Sequence, residues 1–174
     1  MPSLLSEARE KGYSQDGEIF DANNLQLLAE NTCGLKCEMA SYASLTPSRA
    51  LSTLSSGGVL IIPYDSNSRT RLPCKLEGRS SHYGIIVGLL AGFPSAESDE
   101  CLYPLTTEQQ LSEIAGIYLL VQHSLSSHLA IASWVDFFAS NQQLARIDTT
   151  KFGSTKLDLK DRVLICHGVA DSGN

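Results

Sequence analysis

Over the first third of the chain, apolar positions recur at helical spacing; after it they gather into short, strand-like runs. Ser3 can cap a short helix reaching Lys11, which Gly12 would stop. Asp21 can cap a second, in which Leu25, Leu28 and Ala29 share a face before Gly34. Leu35, Cys37 and Met39 alternate with Lys36 and Glu38, the pattern of a half-buried strand. Thr46-Pro47 opens a third helix carrying Ala50, Leu51 and Leu54, closed by Gly57-Gly58. Residues 59–62 then form an apolar, β-branched run ending at Pro63, and residues 82–90, 117–121, 128–132 and 162–166 form further strands. Ser133 with Asp136 three residues on resembles a capping box for a helix holding Trp134, Phe137 and Phe138. Residues 65–81 and 94 to about 111 read as surface loops. Helices first and strands later predict an α+β fold with a mainly antiparallel sheet.

Length and charge narrow the classes. The 174 residues fit one domain of ordinary size, 43% of them hydrophobic. Thirteen basic against nineteen acidic residues give a formal charge of −6, which argues against a nucleic-acid partner. The longest apolar run, residues 84–93, is about half of what a membrane-spanning helix needs, so no membrane partner is expected. Met1-Pro2-Ser3 does not open a secretory leader. Five cysteines without regular spacing suit a reducing compartment, and a cytoplasmic location is the expectation.

His82 is the most informative single residue. It sits at the mouth of an apolar strand, directly after the polar run Gly78-Arg79-Ser80-Ser81, where a proton acceptor is useful. A strand-end histidine bonded to backbone fits the same pattern. Cys33-Gly34 invites comparison with thiol-protease nucleophiles, but a helix C-terminus is the wrong end of the dipole for a thiolate. Cys33, Cys37, Cys74, Cys101 and Cys166 contain no paired Cys-x-x-Cys spacing, so neither a metal nor a cofactor is expected. His123 and His128 flank a serine-rich turn. No nucleophile elbow, phosphate-binding loop or dinucleotide fingerprint occurs. Arg69, Arg71, Lys75 and Arg79 make one loop net positive, with only Asp65 and Glu77 opposing them. A solvated loop is the plain reading of that cluster, and its place just before His82 is the reason to keep it in view.

Several runs resemble one family in order. They are Gly12-Tyr13-Ser14-Gln15-Asp16-Gly17-Glu18-Ile19-Phe20, Leu28-Ala29-Glu30, Leu60-Ile61-Ile62-Pro63-Tyr64-Asp65 and Pro73-Cys74. Gly78-Arg79-Ser80-Ser81-His82-Tyr83, Ile117-Tyr118-Leu119-Leu120, His128 and Ser140-Asn141-Gln142-Gln143-Leu144 follow. Together they resemble the actin maturation protease family, papain-like cysteine peptidases of the C39-like group, from about Glu7 to about Gly168. The resemblance implies a cysteine aminopeptidase that removes the acetylated first methionine or cysteine of immature actin. It implies a thiolate nucleophile, His82 as the base that later protonates the leaving amine, and an oxyanion held by backbone amides. With such a substrate, the positive loop Arg69, Arg71, Lys75 and Arg79 is expected to help receive the acidic, acetylated actin N-terminus, because an acidic protein needs a local positive field to attract it.

The sequence departs from the family pattern at the nucleophile. The family's Cys-Gly-Leu motif opens a helix upstream of everything matched here, and Cys33-Gly34-Leu35 repeats its letters in a different aligned segment. At the place of the third catalytic residue stand Gln122 and His123, neither a standard orienter. Residues 1–174 are therefore expected to form a single, partial C39-like peptidase domain without its catalytic helix, truncated and inactive, with apolar sheet surface exposed where that helix would pack. A non-catalytic papain-like module that binds peptides or actin N-termini is the second expectation.

Overall fold

The computed structural model describes residues 3–92, 116–124, 126–147, 152 and 157–169. α-Helices whose bounds lie within the described residues form where the capping signals place them: α1 (Leu4–Glu10), α2 (Ala22–Cys33), α3 (Pro47–Ser55) and α4 (Trp134–Asn141). Each begins on a side-chain acceptor. Ser3 takes the amide of Ser6, Asp21 that of Asn23, Thr46 that of Arg49 and Ser133 that of Asp136. Such a cap contributes about 1 kcal/mol, which matters for helices this short. Gly34 ends α2 in the left-handed region at φ 67°, open to glycine without a Cβ penalty.

The strands are β1 (Leu35–Ser41), β2 (Val59–Ser66), β3 (Pro73–Cys74), β4 (Ser81–Gly92), β5 (Gly116–Gln122), β6 (Ala130–Ser133) and β7 (Arg162–Val169). They form one sheet in the order β1-β7-β2-β4-β5-β6, with β3 paired to β2 and every pairing antiparallel. The expected α+β class with a mainly antiparallel sheet is what forms. On one face Leu60, Ile62, Ile86, Leu119 and Val121 pack with Tyr64 and Phe137, whose rings lie 4.7 Å apart. On the other, α2 covers only the β1–β7–β2 end, placing Leu25 and Ala29 over Leu164 and Cys166. Among the described residues no helix packs on the β4–β5–β6 end of that second face, where Ile85, Tyr118 and Ile131 are 38%, 44% and 55% exposed. Side chains alternate between faces, so these three exposed residues share a face that their neighbours Ile86, Leu119 and Ala132 avoid.

The expectations for residues 63–81 need correcting: Pro73–Cys74, placed in the surface loop, form β3 against β2. β2 does not stop at Pro63 but runs on to Ser66, and Asp65-Ser66, expected in a surface loop, are buried. Proline is tolerated because β7 pairs with β2 only up to Ile61 and then parts from it. The Pro63 carbonyl takes the Asn141 side-chain amide there, 3.0 Å away, so its nitrogen faces no strand and no ladder bond is lost. The loop expected at residues 94–111 lies outside the described residues. Among the described residues, no helix is long and apolar enough to cross a membrane.

Candidate functional site

His82 is the second residue of β4 and pairs with Tyr64 of β2. It lines a cavity of about 480 Å³ whose walls include Ile19, Phe20, Leu25, Ile61, Ile85 and Leu159. Ser81, Gln122, His123 and Glu18 supply polar edges to the same space. Tyr83, the next residue, also lines this cavity and donates from its hydroxyl to the Ile19 carbonyl, 3.1 Å, fastening the segment before α2 to the cavity wall. A smaller cavity of about 180 Å³ lies along His82 on its loop side, bounded by Gly78, Arg79, Ser80 and Phe152.

The imidazole of His82 is held below its ordinary pKa, first by burial and next by the positive charge of Arg71. Asp65 and Glu18 oppose that shift, and His123 adds a smaller push in the same direction as Arg71. The result is an imidazole that is neutral at physiological pH, with one nitrogen free to accept a proton.

Beneath the loop lies a carboxylate that sequence reasoning assigned to solvent. Asp65 is 0% exposed. Its Oδ2 accepts the amides of Leu76 (2.9 Å) and Gly78 (2.8 Å) and the Gln143 side chain (2.6 Å), and its Oδ1 accepts the amide of Ser80 (3.0 Å). Ser140 holds the same corner. Its hydroxyl accepts the Asp65 amide at 2.9 Å and donates to the Cys74 carbonyl at 2.7 Å. The run from Ser140 to Gln143 therefore fastens the C-terminus of α4 to β2 and to the loop. Nothing in the local pattern signalled this, because the partners are distant in the chain.

The four basic residues divide. Arg71 acts on His82 electrostatically, and Arg79 borders its smaller cavity. Arg79 also shares Glu77 with Arg146, at 3.4 and 3.1 Å, so part of its charge is answered locally. Arg69 and Lys75 are exposed on the same loop and border neither of these two cavities. Gln122 lines the main cavity beside His123, while His128 is exposed in the turn. Cys33 ends α2 as expected and does not line the His82 cavity; neither does any other described cysteine. Cys37 and Cys166 instead face each other across β1 and β7, their sulfurs 3.4 Å apart. Burial pushes the Cys166 thiol up to about 12 and raises Cys37 as well. Among the described residues, no three His, Cys, Asp or Glu side chains converge to hold a metal ion.

Comparison with known proteins agrees with the residue pattern. A sequence profile of the family described as actin maturation protease-like, C-terminal domain, matches residues 1–90. The actin maturation protease of Xenopus tropicalis is 27% identical over 158 residues, covering 85% of this chain and 52% of that protein. That of Danio rerio is 26% identical over 164 residues, covering 85% and 53%. The Homo sapiens protein is 31% identical over 97 residues, 55% of this chain and 27% of its own. The chain thus spans about half the length of the curated relatives that match most of it. No solved structure matches.

Proposed function

Because the chain belongs to the actin maturation protease-like family, we propose that it supplies the histidine-bearing part of a cysteine peptidase that trims the acetylated N-terminus of actin. The observation that carries this reading is the His82 cavity. A half-buried imidazole kept neutral by burial and Arg71 opens on an apolar space lined by Phe20, Leu25, Ile61 and Ile85. Such a space suits a small apolar first residue, methionine or cysteine, with its charge removed by acetylation. His82 takes the thiol proton as the nucleophile attacks and returns it to the leaving amine. The exposed basic residues Arg69, Arg71, Lys75 and Arg79 favour an acidic segment following that first residue.

The nucleophile belongs to a segment that docks beside this cavity. The open sheet face supports that arrangement, since Ile85 belongs both to the exposed apolar surface and to the cavity wall. A second reading, of a module that binds the actin N-terminus without cutting it, is favoured by the lack of any described cysteine in the cavity lining. The test compares the 174-residue chain with the longest product of its gene, each incubated with acetylated actin N-terminal peptides. Cleavage by the long product, lost on His82→Ala with peptide binding retained, is the expected outcome. Undiminished cleavage by the His82→Ala protein removes the histidine from the mechanism; binding without cleavage by every product establishes the second reading.

A further inference from the structure

We propose that Asp65 is a positioning residue for His82: its buried carboxylate gathers the chain entering β4 around itself and sets its negative charge against the imidazole. The proposal deepens the reading above, because it bears on catalysis only if His82 is the base.

The geometry is specific. Three main-chain amides, of Leu76, Gly78 and Ser80, point inward on one carboxylate, which means that the segment winds around it with every second residue as donor. Gly78 makes that winding possible. Its φ is 98°, and a Cβ there would stand 2.1 Å from the Arg146 carbonyl oxygen. The fourth donor, Gln143, is itself braced, donating to the Ser140 carbonyl at 2.8 Å and accepting the Glu77 amide. From the other side the amides of Ala145 and Arg146 close on the Glu77 carbonyl at 3.1 and 2.7 Å. The loop is thus clamped between β2 and the chain after α4. Ser81 pairs with Asp65 and His82 with Tyr64, so the imidazole is mounted one register step beyond the clamp.

Charge adds a second role. The groups acting on His82 come from four places: Glu18 before α2, Asp65 on β2, Arg71 in the loop and His123 after β5. Burial, Arg71 and His123 disfavour the imidazolium; Asp65 and Glu18 favour it. A base that is only desolvated would bind its proton too weakly to take one from a thiol. Asp65 restores proton affinity from a position that substrate does not reach, since it is fully buried.

The experiment is a titration of the histidine Cε1 resonances by NMR in the 174-residue chain, with His82→Gln assigning the signal. Amide exchange is followed in the same samples. In Asp65→Asn, exchange at Leu76, Gly78 and Ser80 should quicken about tenfold or more, and the His82 pKa should fall by at least about 0.5. Faster exchange with an unchanged His82 titration would show a structural role only and overturn the proposal. If Asp65→Asn does not fold by circular dichroism, Gln143→Ala removes one donor and keeps the charge. There the exchange at Glu77 and Gly78 and the His82 titration must move together, and a titration identical to wild type overturns the proposal. Neither readout requires cleavage, so a failed peptidase assay and a failed positioning role are told apart.

Discussion

Asn141→Ala should be among the most destabilising single changes to a polar residue of this protein. Asn141 is buried at the C-terminus of α4, at the point where β2 and β7 part company after the Ile61–Leu164 pair. Its side-chain amide reaches the carbonyls of Pro63 (3.0 Å), Arg162 (3.2 Å) and Leu159 (3.4 Å). One NH₂ group has two hydrogens, so the first two contacts are counted as full bonds and the longest as shared. Alanine leaves one buried and one partly buried carbonyl without this donor at about 1–3 kcal/mol each, an expected loss of about 2–6 kcal/mol. For a chain of this size, at about 2–4 °C per kcal/mol, that corresponds to a melting temperature lower by roughly 4–24 °C. Urea unfolding followed by fluorescence reads the change directly, because Trp134 is the single tryptophan and packs 5.6 Å from the Tyr42 ring. Asn141→Asp sharpens the test. It keeps the shape but turns the donor into an acceptor facing three carbonyls, and should be worse than alanine. An aspartate variant as stable as wild type, or an alanine variant within about 0.5 kcal/mol of it, would refute the reasoning.

Other expectations follow from the same geometry. The folded protein holds His82 below its unfolded pKa, so the unfolded chain binds more protons in that interval. The stability this group contributes is complete above about pH 6.5 and is lost as pH falls through the lowered folded value. His82→Gln should flatten that part of the stability profile between about pH 7 and 5, and an unchanged slope would disprove the linkage. Cys33 is exposed whereas Cys166 is buried with its thiol raised to about 12, so an alkylating reagent should label Cys33 well before Cys166. Comparable labelling of Cys166 in the native protein, located by peptide mass mapping, would contradict its burial. Reversing Arg69 and Lys75 to glutamate should slow capture of an acidic actin N-terminal peptide several-fold at low salt. The effect should shrink near 0.5 M, where the Debye length is about 4 Å. Equal capture at low salt would return the loop to plain solvated surface.

What the sequence determined by itself was the local part of the design. The starts of α1, α2, α3 and α4 were legible because each cap acts within three residues, as Thr46 does on Arg49. Apart from β3, which lies in the segment expected as a loop, the strand cores were legible because burial imposes runs or alternation that survive without knowledge of the partner, and the place of His82 came with its strand. The polar framework was decided only in three dimensions. Asp65 binds amides 11, 13 and 15 residues away and a side chain 78 residues away, so no window of sequence reveals that it is buried. The same holds for Pro63, whose tolerance inside β2 depends on where β7 leaves the sheet and Asn141 enters. A buried polar group is stable only when distant donors converge on it, and that convergence exists only once the chain has folded.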